Sequence, residues 1–180
     1  MNTASRISRP VMICLRRRRG NGCTTGSQSA HLPKRGCPPP AAGGTIVVMT
    51  DRDLGALEEI LAVRGGFGHS EHLELAWTLL ASHPIDRARR LMASSIRHVA
   101  ELHGAPDRYH ETITQTWVHL VAVHMSASSA SSFDQFISES PGLLDRHLLD
   151  RHYGSDVLWS DAARARWTEP DLLGLPALGS

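Results

Sequence analysis

Histidine is the residue type whose number and placement could do chemistry in this chain. Ten of its eleven histidines lie between His69 and His152, and several share a helix face with tryptophans and leucines. An imidazole on an apolar face must find a partner for each ring nitrogen or bind a metal, because burying an unbonded polar atom is unfavourable. The cluster therefore predicts either a ligand or metal site, or histidines that bond to the fold itself.

The spacing of three histidines favours a common centre. His69 and His72 are three residues apart, so they are neighbours on the surface of a helix. His110 lies on the apolar side of a later helix. If the two helices pack side by side, these three imidazoles converge, and the turn at His152-Tyr153 closes over them.

A divalent metal is one ligand that such a centre could hold. Two or three imidazoles with a carboxylate are what zinc, iron or manganese sites require. We therefore predict His69, His72 and His110 as metal ligands, with Glu71 or Glu111 as an orienting or basic group.

A pocket for a small molecule is the other form of this hypothesis. Thr114 follows His110 by four residues, so both stack on one side of a helix. The threonine hydroxyl could orient the imidazole, hold a polar group of a ligand, or bond back to its own helix carbonyl. The residues predicted to line the pocket carry imidazole, phenol or hydroxyl groups: His69, His72, Tyr109, His110, Thr114, His152 and Tyr153.

No complete signature for a reaction accompanies these residues. The segment 69–72 is not the His-Glu-x-x-His motif of zinc proteases, and no Glu-x-x-His pair is present, as di-iron bundles require. The sequence also lacks a glycine-rich phosphate loop, a nucleophile elbow and any cysteine after residue 50. Enzyme activity is left open, and the alternative is a non-catalytic regulatory or protein-interaction module with structural histidines.

Apolar periodicity after residue 50 predicts an all-α fold, a compact bundle of four main helices with short C-terminal helices. The second main helix carries Leu73, Ala76, Trp77 and Leu80 at i, i+3, i+4 and i+7, which is typical of one buried face. Asp107 is predicted to cap the N-terminus of the fourth main helix. The main helices are predicted over about 51–64, 68–82, 84–103 and 108–125, and shorter ones near 133–137, 141–149, 155 and 160, before a tail from 168.

Several sequence blocks occur in one order along this body: Phe67 to Leu73, Ala76-Trp77, Tyr109 to Thr114 with Trp117, His152 to Ser155, and Trp167 to Leu172. Through them the chain resembles a family of small bacterial all-α proteins that carries no assigned reaction. The resemblance covers roughly residues 53–176 and none of the first fifty. It implies a shared pocket rather than a named activity, and it favours a start near Met49.

The first fifty residues differ in composition from the rest. They hold eight Lys or Arg and no acid, whereas residues 51–180 hold eleven Arg against eighteen acids, a net charge of −7. Without sustained apolar periodicity, residues 1–48 are predicted to be a disordered basic segment, and 49–180 a single all-α domain. Three explanations stay open: a basic arm for phosphates or acidic partners, an Arg-rich transit peptide, or a stretch upstream of a true start at Met49.

Composition also limits the partners and the compartment. No apolar run is long enough to cross a bilayer, the run Val11 to Leu15 is too short for a signal-peptide core, and the three cysteines match no zinc spacing. We therefore expect a soluble cytoplasmic protein with no membrane partner. The negative charge of the body argues against nucleic acid, since phosphate binding needs a basic surface, and a small molecule is the expected partner.

Overall fold

The computed structural model describes residues 67–179 together with Gly55, Glu59 and Ile60. Helices make up 69% of this part and no strand occurs in it, so the all-α prediction is confirmed. Gly55, Glu59 and Ile60 are helical, and Ile60 is buried in the core. The rest of the predicted first helix lies outside the described residues, as do the predictions for residues 1–48.

Three long helices and a shorter fourth form the bundle, and two short helices follow near the C-terminus. They are α1 (His69–Ser82), α2 (Ile85–Leu102), α3 (Glu111–Ser126), α4 (Phe133–Glu139), α5 (Ser155–Leu158) and α6 (Asp161–Ala165). Short 3-10 helices at Pro106–Arg108, Pro141–Leu144 and Arg146–Arg151 connect them. The three long helices begin and end within three residues of the predicted limits.

Helix α3 lies at the centre of the described bundle, since it contacts α1, α2 and α6. Trp117 and Val118 are fully buried on it, beside four buried polar residues, which are Thr112, Thr114, Gln115 and Thr116. A helix buried on several sides cannot turn its polar side chains to water, so they must find partners within the protein. Thr112, Gln115 and Thr116 each meet this requirement with a hydrogen bond to another residue of the protein.

The buried face of α1 differs from the predicted stripe. His69, His72 and Leu79 are buried together with Leu73 and Ala76, whereas the predicted members Trp77 and Leu80 are only partly buried. Both sets follow helical spacing, so periodicity alone does not separate them. Packing of α1 against α2 and α3 turns the helix so that the histidines face the interior and Trp77 lies at the edge.

The start of α3 also differs from the prediction. Asp107 belongs to a 3-10 helix, Pro106–Arg108, and the N-cap of α3 is His110, whose Nδ1 accepts a hydrogen bond from the Ile113 amide at 3.3 Å. Asp107 is not the cap because the 3-10 helix and an extended Tyr109 separate it from the first turn of α3. The prediction therefore missed an imidazole acting in a role that usually falls to Ser, Thr, Asp or Asn.

The helix predicted over 141–149 consists of two 3-10 helices in the structure. Asp145 has an extended backbone between them, and its carboxylate accepts the His147 amide at 2.9 Å. An acidic side chain that bonds to the backbone two residues ahead favours a turn over a continuous helix. The first 3-10 helix, which begins at Pro141, packs against α1 and brings the Leu143 carbonyl to His69.

The described helices include none that is both long and apolar enough to span a membrane.

Candidate functional site

His69 and His72 lie side by side in the interior, where the first turns of α1 meet α3. Only 4% of the surface of each residue is exposed. The Nε2–H of His69 donates to the Leu143 carbonyl at 2.8 Å. Its ring stands edge-on to the indole of Trp117, with 4.5 Å between the ring centroids. The imidazole of His72 packs at 5.8 Å from the ring of Phe67.

Three buried polar atoms of this group have no hydrogen-bond partner among the described residues. They are Nδ1 of His69, Nε2 of His72 and Nε1 of Trp117. Buried side-chain nitrogens are nearly always bonded in native proteins, so three such atoms on adjoining residues of one interior region are unusual. We call His69, His72 and Trp117 the interior site.

Burial keeps both imidazoles of the interior site neutral at physiological pH. Loss of hydration, with a smaller contribution from the neighbouring His69, lowers the pKa of His72 to about 3. Burial also lowers the pKa of His69, with Arg146 acting in the same direction, although the bond to Leu143 opposes the shift. A neutral imidazole offers one donor and one acceptor, so both rings can contact an uncharged ligand.

His110 does not join the interior site. Its Nε2–H donates to the Leu158 carbonyl at 2.8 Å, and its Nδ1 accepts the Ile113 amide, so both ring nitrogens are occupied. His69 contacts Trp117, which lies seven residues further along α3, about 10 Å along the helix axis. Side-by-side packing of the two helices therefore does not bring the third imidazole to the same centre.

The predicted three-histidine metal site is consequently not assembled. In the part of the chain that the structure describes, no group of three His, Cys, Asp or Glu side chains is placed to hold a metal ion. The predicted carboxylates are also engaged elsewhere: Glu71 accepts the Gly68 amide at 2.8 Å, where it closes the N-terminus of α1. Two neutral imidazoles without a carboxylate are too few ligands for a zinc, iron or manganese site.

His152 and Tyr153 bind the C-terminal segment 166–176 of their own chain. The Nδ1–H of His152 donates to the Leu173 carbonyl at 2.8 Å, and its backbone carbonyl accepts the Leu172 amide at 3.1 Å. The hydroxyl of Tyr153 donates to the Thr168 carbonyl at 3.0 Å. These residues therefore close the fold over the segment, and the structure does not place them over His69 and His72.

Thr112 and Thr116 support the same segment from α3, and the sequence prediction did not include them. The Thr112 hydroxyl donates to the Arg166 carbonyl at 3.0 Å and accepts the Thr168 amide at 3.1 Å. The Thr116 hydroxyl donates to the Thr112 carbonyl at 2.7 Å and lies 3.2 Å from the Tyr153 hydroxyl. Their spacing of four residues, which places both hydroxyls on one face of the helix, was the signal available in the sequence.

Tyr109 and Glu111 form a separate polar cluster at the start of α3. The carboxylate of Glu111 accepts the Tyr109 hydroxyl at 2.5 Å, Arg97 at 2.7 Å and Gln115 at 2.8 Å. The guanidinium of Arg97 also stacks 4.3 Å from the centre of the Tyr109 ring. Burial and the bond to Glu111 raise the pKa of Tyr109, while a hydrogen bond from Thr114 opposes the shift. Tyr109 and Thr114, which were predicted to line a pocket with His69, therefore contact each other in a separate cluster.

No protein-family model matches the chain, and neither curated proteins nor solved structures show significant similarity to it. The resemblance to a family of small bacterial proteins therefore stays a prediction. What the protein does must be inferred from the contacts of its own residues.

Proposed function

We propose that the protein binds a small polar molecule at the interior site of His69, His72 and Trp117. The observation that supports this proposal is the presence of three buried and unbonded polar atoms on these residues. Of the seven residues predicted to line a pocket, His69 and His72 keep free bonding capacity, and Trp117 adds to them. The proposal covers binding and assigns no reaction.

The energetics of burial favour a role for these atoms in binding. Each buried polar group without a partner destabilises a fold by about 1–3 kcal/mol relative to a bonded one. An apolar side chain at position 72 would pack against Phe67 without that penalty. A ligand that bonds to the three nitrogens would recover the lost free energy, so binding would stabilise the folded protein.

A thermal-shift experiment tests this proposal on the full-length protein. A set of small polar compounds should include members that raise the melting temperature of the wild type and not that of His72→Phe. The variant replaces an unbonded imidazole by a ring that fits beside Phe67, so it should fold with unchanged or higher stability. His98→Phe is the matched control, because His98 is exposed on α2 and should not affect the shifts. Equal shifts in the wild type and His72→Phe would contradict the proposal.

A non-catalytic interaction module is the second candidate function. It is favoured by the number of histidines whose ring N–H donates to a distant backbone carbonyl, namely His69, His110, His119 and His152. It is also favoured by Leu172 and Leu173, which are more than half exposed on a segment held by its backbone. Changing both leucines to serine should then remove a protein partner recovered with the wild type by cross-linking. Identical partners for both proteins would contradict this function.

A further inference from the structure

We infer that the interior site selects an uncharged molecule that enters through a single hydroxyl group. The inference rests on the proposed function and adds the chemical class of the ligand. It follows from which of the three unbonded atoms donate and which accept.

His69 can only accept a hydrogen bond from a ligand. Its Nε2 lies 2.8 Å from the carbonyl oxygen of Leu143, and a carbonyl oxygen has no proton to give. The proton of the neutral ring is therefore on Nε2, and Nδ1 presents a lone pair to the interior. A ligand group at Nδ1 must carry an O–H or N–H.

Trp117 can only donate. The indole Nε1–H has no lone pair in the ring plane, so it requires an acceptor. The rings of Trp117 and His69 are in edge contact, so the side chains that carry the free donor and the free acceptor touch, and the two atoms are not bonded to each other. One hydroxyl oxygen meets both needs, because it accepts from the indole and donates to the imidazole.

Charged ligands meet these needs less well. A carboxylate has no proton for Nδ1 of His69, and an ammonium group has no lone pair for the Trp117 N–H. His72 is neutral and supplies no charge to pair with a carboxylate, and Glu71 already bonds to the Gly68 amide. His72 can serve as a third contact, since either tautomer of its ring allows Nε2 to bond to a hydroxyl or to its oxygen.

Nitrogen-15 NMR of the full-length protein tests the inference with one-carbon probes of similar size. The probes are methanol, formate and methylammonium, with zinc ion as a fourth. The indole N–H signal of Trp117 is assigned by difference, using Trp77→Phe, Trp159→Phe and Trp167→Phe, so that Trp117 itself is not changed. Long-range nitrogen–proton spectra report the bonding of the His69 ring nitrogens.

Methanol should move the Trp117 indole signal downfield and shift the Nδ1 signal of His69, with saturation at rising concentration. The same concentration should have a smaller effect in His72→Phe, which lacks the third contact. Formate, methylammonium and zinc should leave both signals in place. If one of these charged probes binds and methanol does not, the ligand class is wrong while the site and the proposed function stand. If no probe moves either signal, both the inference and the proposed function are overturned.

Discussion

At the scale of single residues, the histidines whose ring donates to a backbone carbonyl differ in the partner of the other ring nitrogen. We call it the second nitrogen. In His110 the second nitrogen accepts a backbone amide, and in His119 it accepts Arg89 at 3.1 Å, so these rings are fully bonded. In His69 the second nitrogen is buried and unbonded. A fully bonded imidazole stabilises the fold, whereas an unbonded one stabilises it only when a ligand is present.

The free energy of unfolding should decrease as the pH falls from 6.5 toward 4. Burial lowers the folded-state pKa of His110 to about 4 and of His72 to about 3, and it lowers that of His69 as well. Each group is neutral in the folded protein, so below pH 6.5 the unfolded chain binds more protons and is favoured. Every such histidine adds a slope of about 1.4 kcal/mol per pH unit within its window.

Urea unfolding at a series of pH values measures this dependence. The decrease should extend to about pH 4 for His110 and to about pH 3 for His72, where the folded protein also becomes protonated. His72→Phe should show a shallower slope than the wild type, whereas His98→Phe, which changes an exposed ring, should match it. Constant stability between pH 6.5 and 4.5 would mean that these imidazoles are hydrated in solution.

Trp117→Ala should destabilise the protein by about 3–5 kcal/mol, the range for removing a large buried aromatic ring. Trp117 is fully buried at the centre of α3, whereas Trp77 is only partly buried, so Trp77→Ala should have a smaller effect. Trp117→Phe should lose less than Trp117→Ala, because the indole nitrogen has no bond to lose. Urea midpoints give the comparison, and equal losses for the two alanine variants would contradict the packing.

At the scale of the secondary-structure elements, side chains from the bundle bind the ends and connections of later segments. His69 binds the carbonyl of Leu143 in a 3-10 helix, His110 binds that of Leu158 at the end of α5, and His152 binds that of Leu173 in the tail. The last carbonyls of a short helix or turn have no partner within the element. The imidazole donors supply those partners, and in this way they attach elements too short to be stable alone.

His110→Ala should destabilise α3 more than His110→Asn does. Asparagine is a favourable N-cap and can replace the acceptor for the Ile113 amide, although it is too short to reach the Leu158 carbonyl. Both variants lose the bond to Leu158, so the expected difference between them is the cost of losing a cap, about 0.5–2 kcal/mol. Urea unfolding at pH 7.5 compares the two variants. Equal stability of both would show that the cap contributes nothing.

Thr112→Val should loosen the segment 166–176 without unfolding the bundle. Valine keeps the shape of threonine but removes the hydroxyl that binds the Arg166 carbonyl and the Thr168 amide. The Thr168 amide should then exchange with deuterium roughly fivefold faster, which corresponds to about 1 kcal/mol for one hydrogen bond.

Thr78→Val is the matched control for this experiment. Its hydroxyl bonds to the Glu74 carbonyl within the same helix, at 2.9 Å, so its loss should not change exchange at Thr168. Exchange at Thr168 that is unaffected by Thr112→Val would show that the tail is held by other contacts.

At the scale of the whole molecule, the charge division of the sequence separates two parts. All eighteen acids lie after residue 50, whereas eight of the nineteen basic residues lie before it. The described core is built from Ile60 and from residues 67 onward. A chain of these proportions can bury a sufficient apolar core within its second part alone.

Deletion of residues 1–48 should therefore leave the melting temperature of the protein essentially unchanged. This segment has no sustained apolar periodicity and a run of four arginines at 16–19, so it has little apolar surface to bury. Differential scanning calorimetry of the full-length and shortened proteins is the measurement. A melting temperature lower by many degrees in the shortened protein would show that the segment packs on the bundle.

The sequence determined the all-α architecture and the approximate limits of α1, α2 and α3, because apolar periodicity acts over many residues and averages out local exceptions. It could not determine the rotation of α1 about its axis, since stripes centred on His72 and on Trp77 fit the same spacing. Only contact with α2 and α3 decides between them.

Tertiary structure alone decided which polar atoms meet. His69 and Leu143 are 74 residues apart, and His110 and Leu158 are 48 apart, so no local pattern indicates either bond. Both bonds depend on a backbone carbonyl, which every residue type presents and which therefore leaves no trace in the sequence. The sequence showed that imidazoles would need partners, and the packing of short C-terminal elements onto the bundle decided which of them found one.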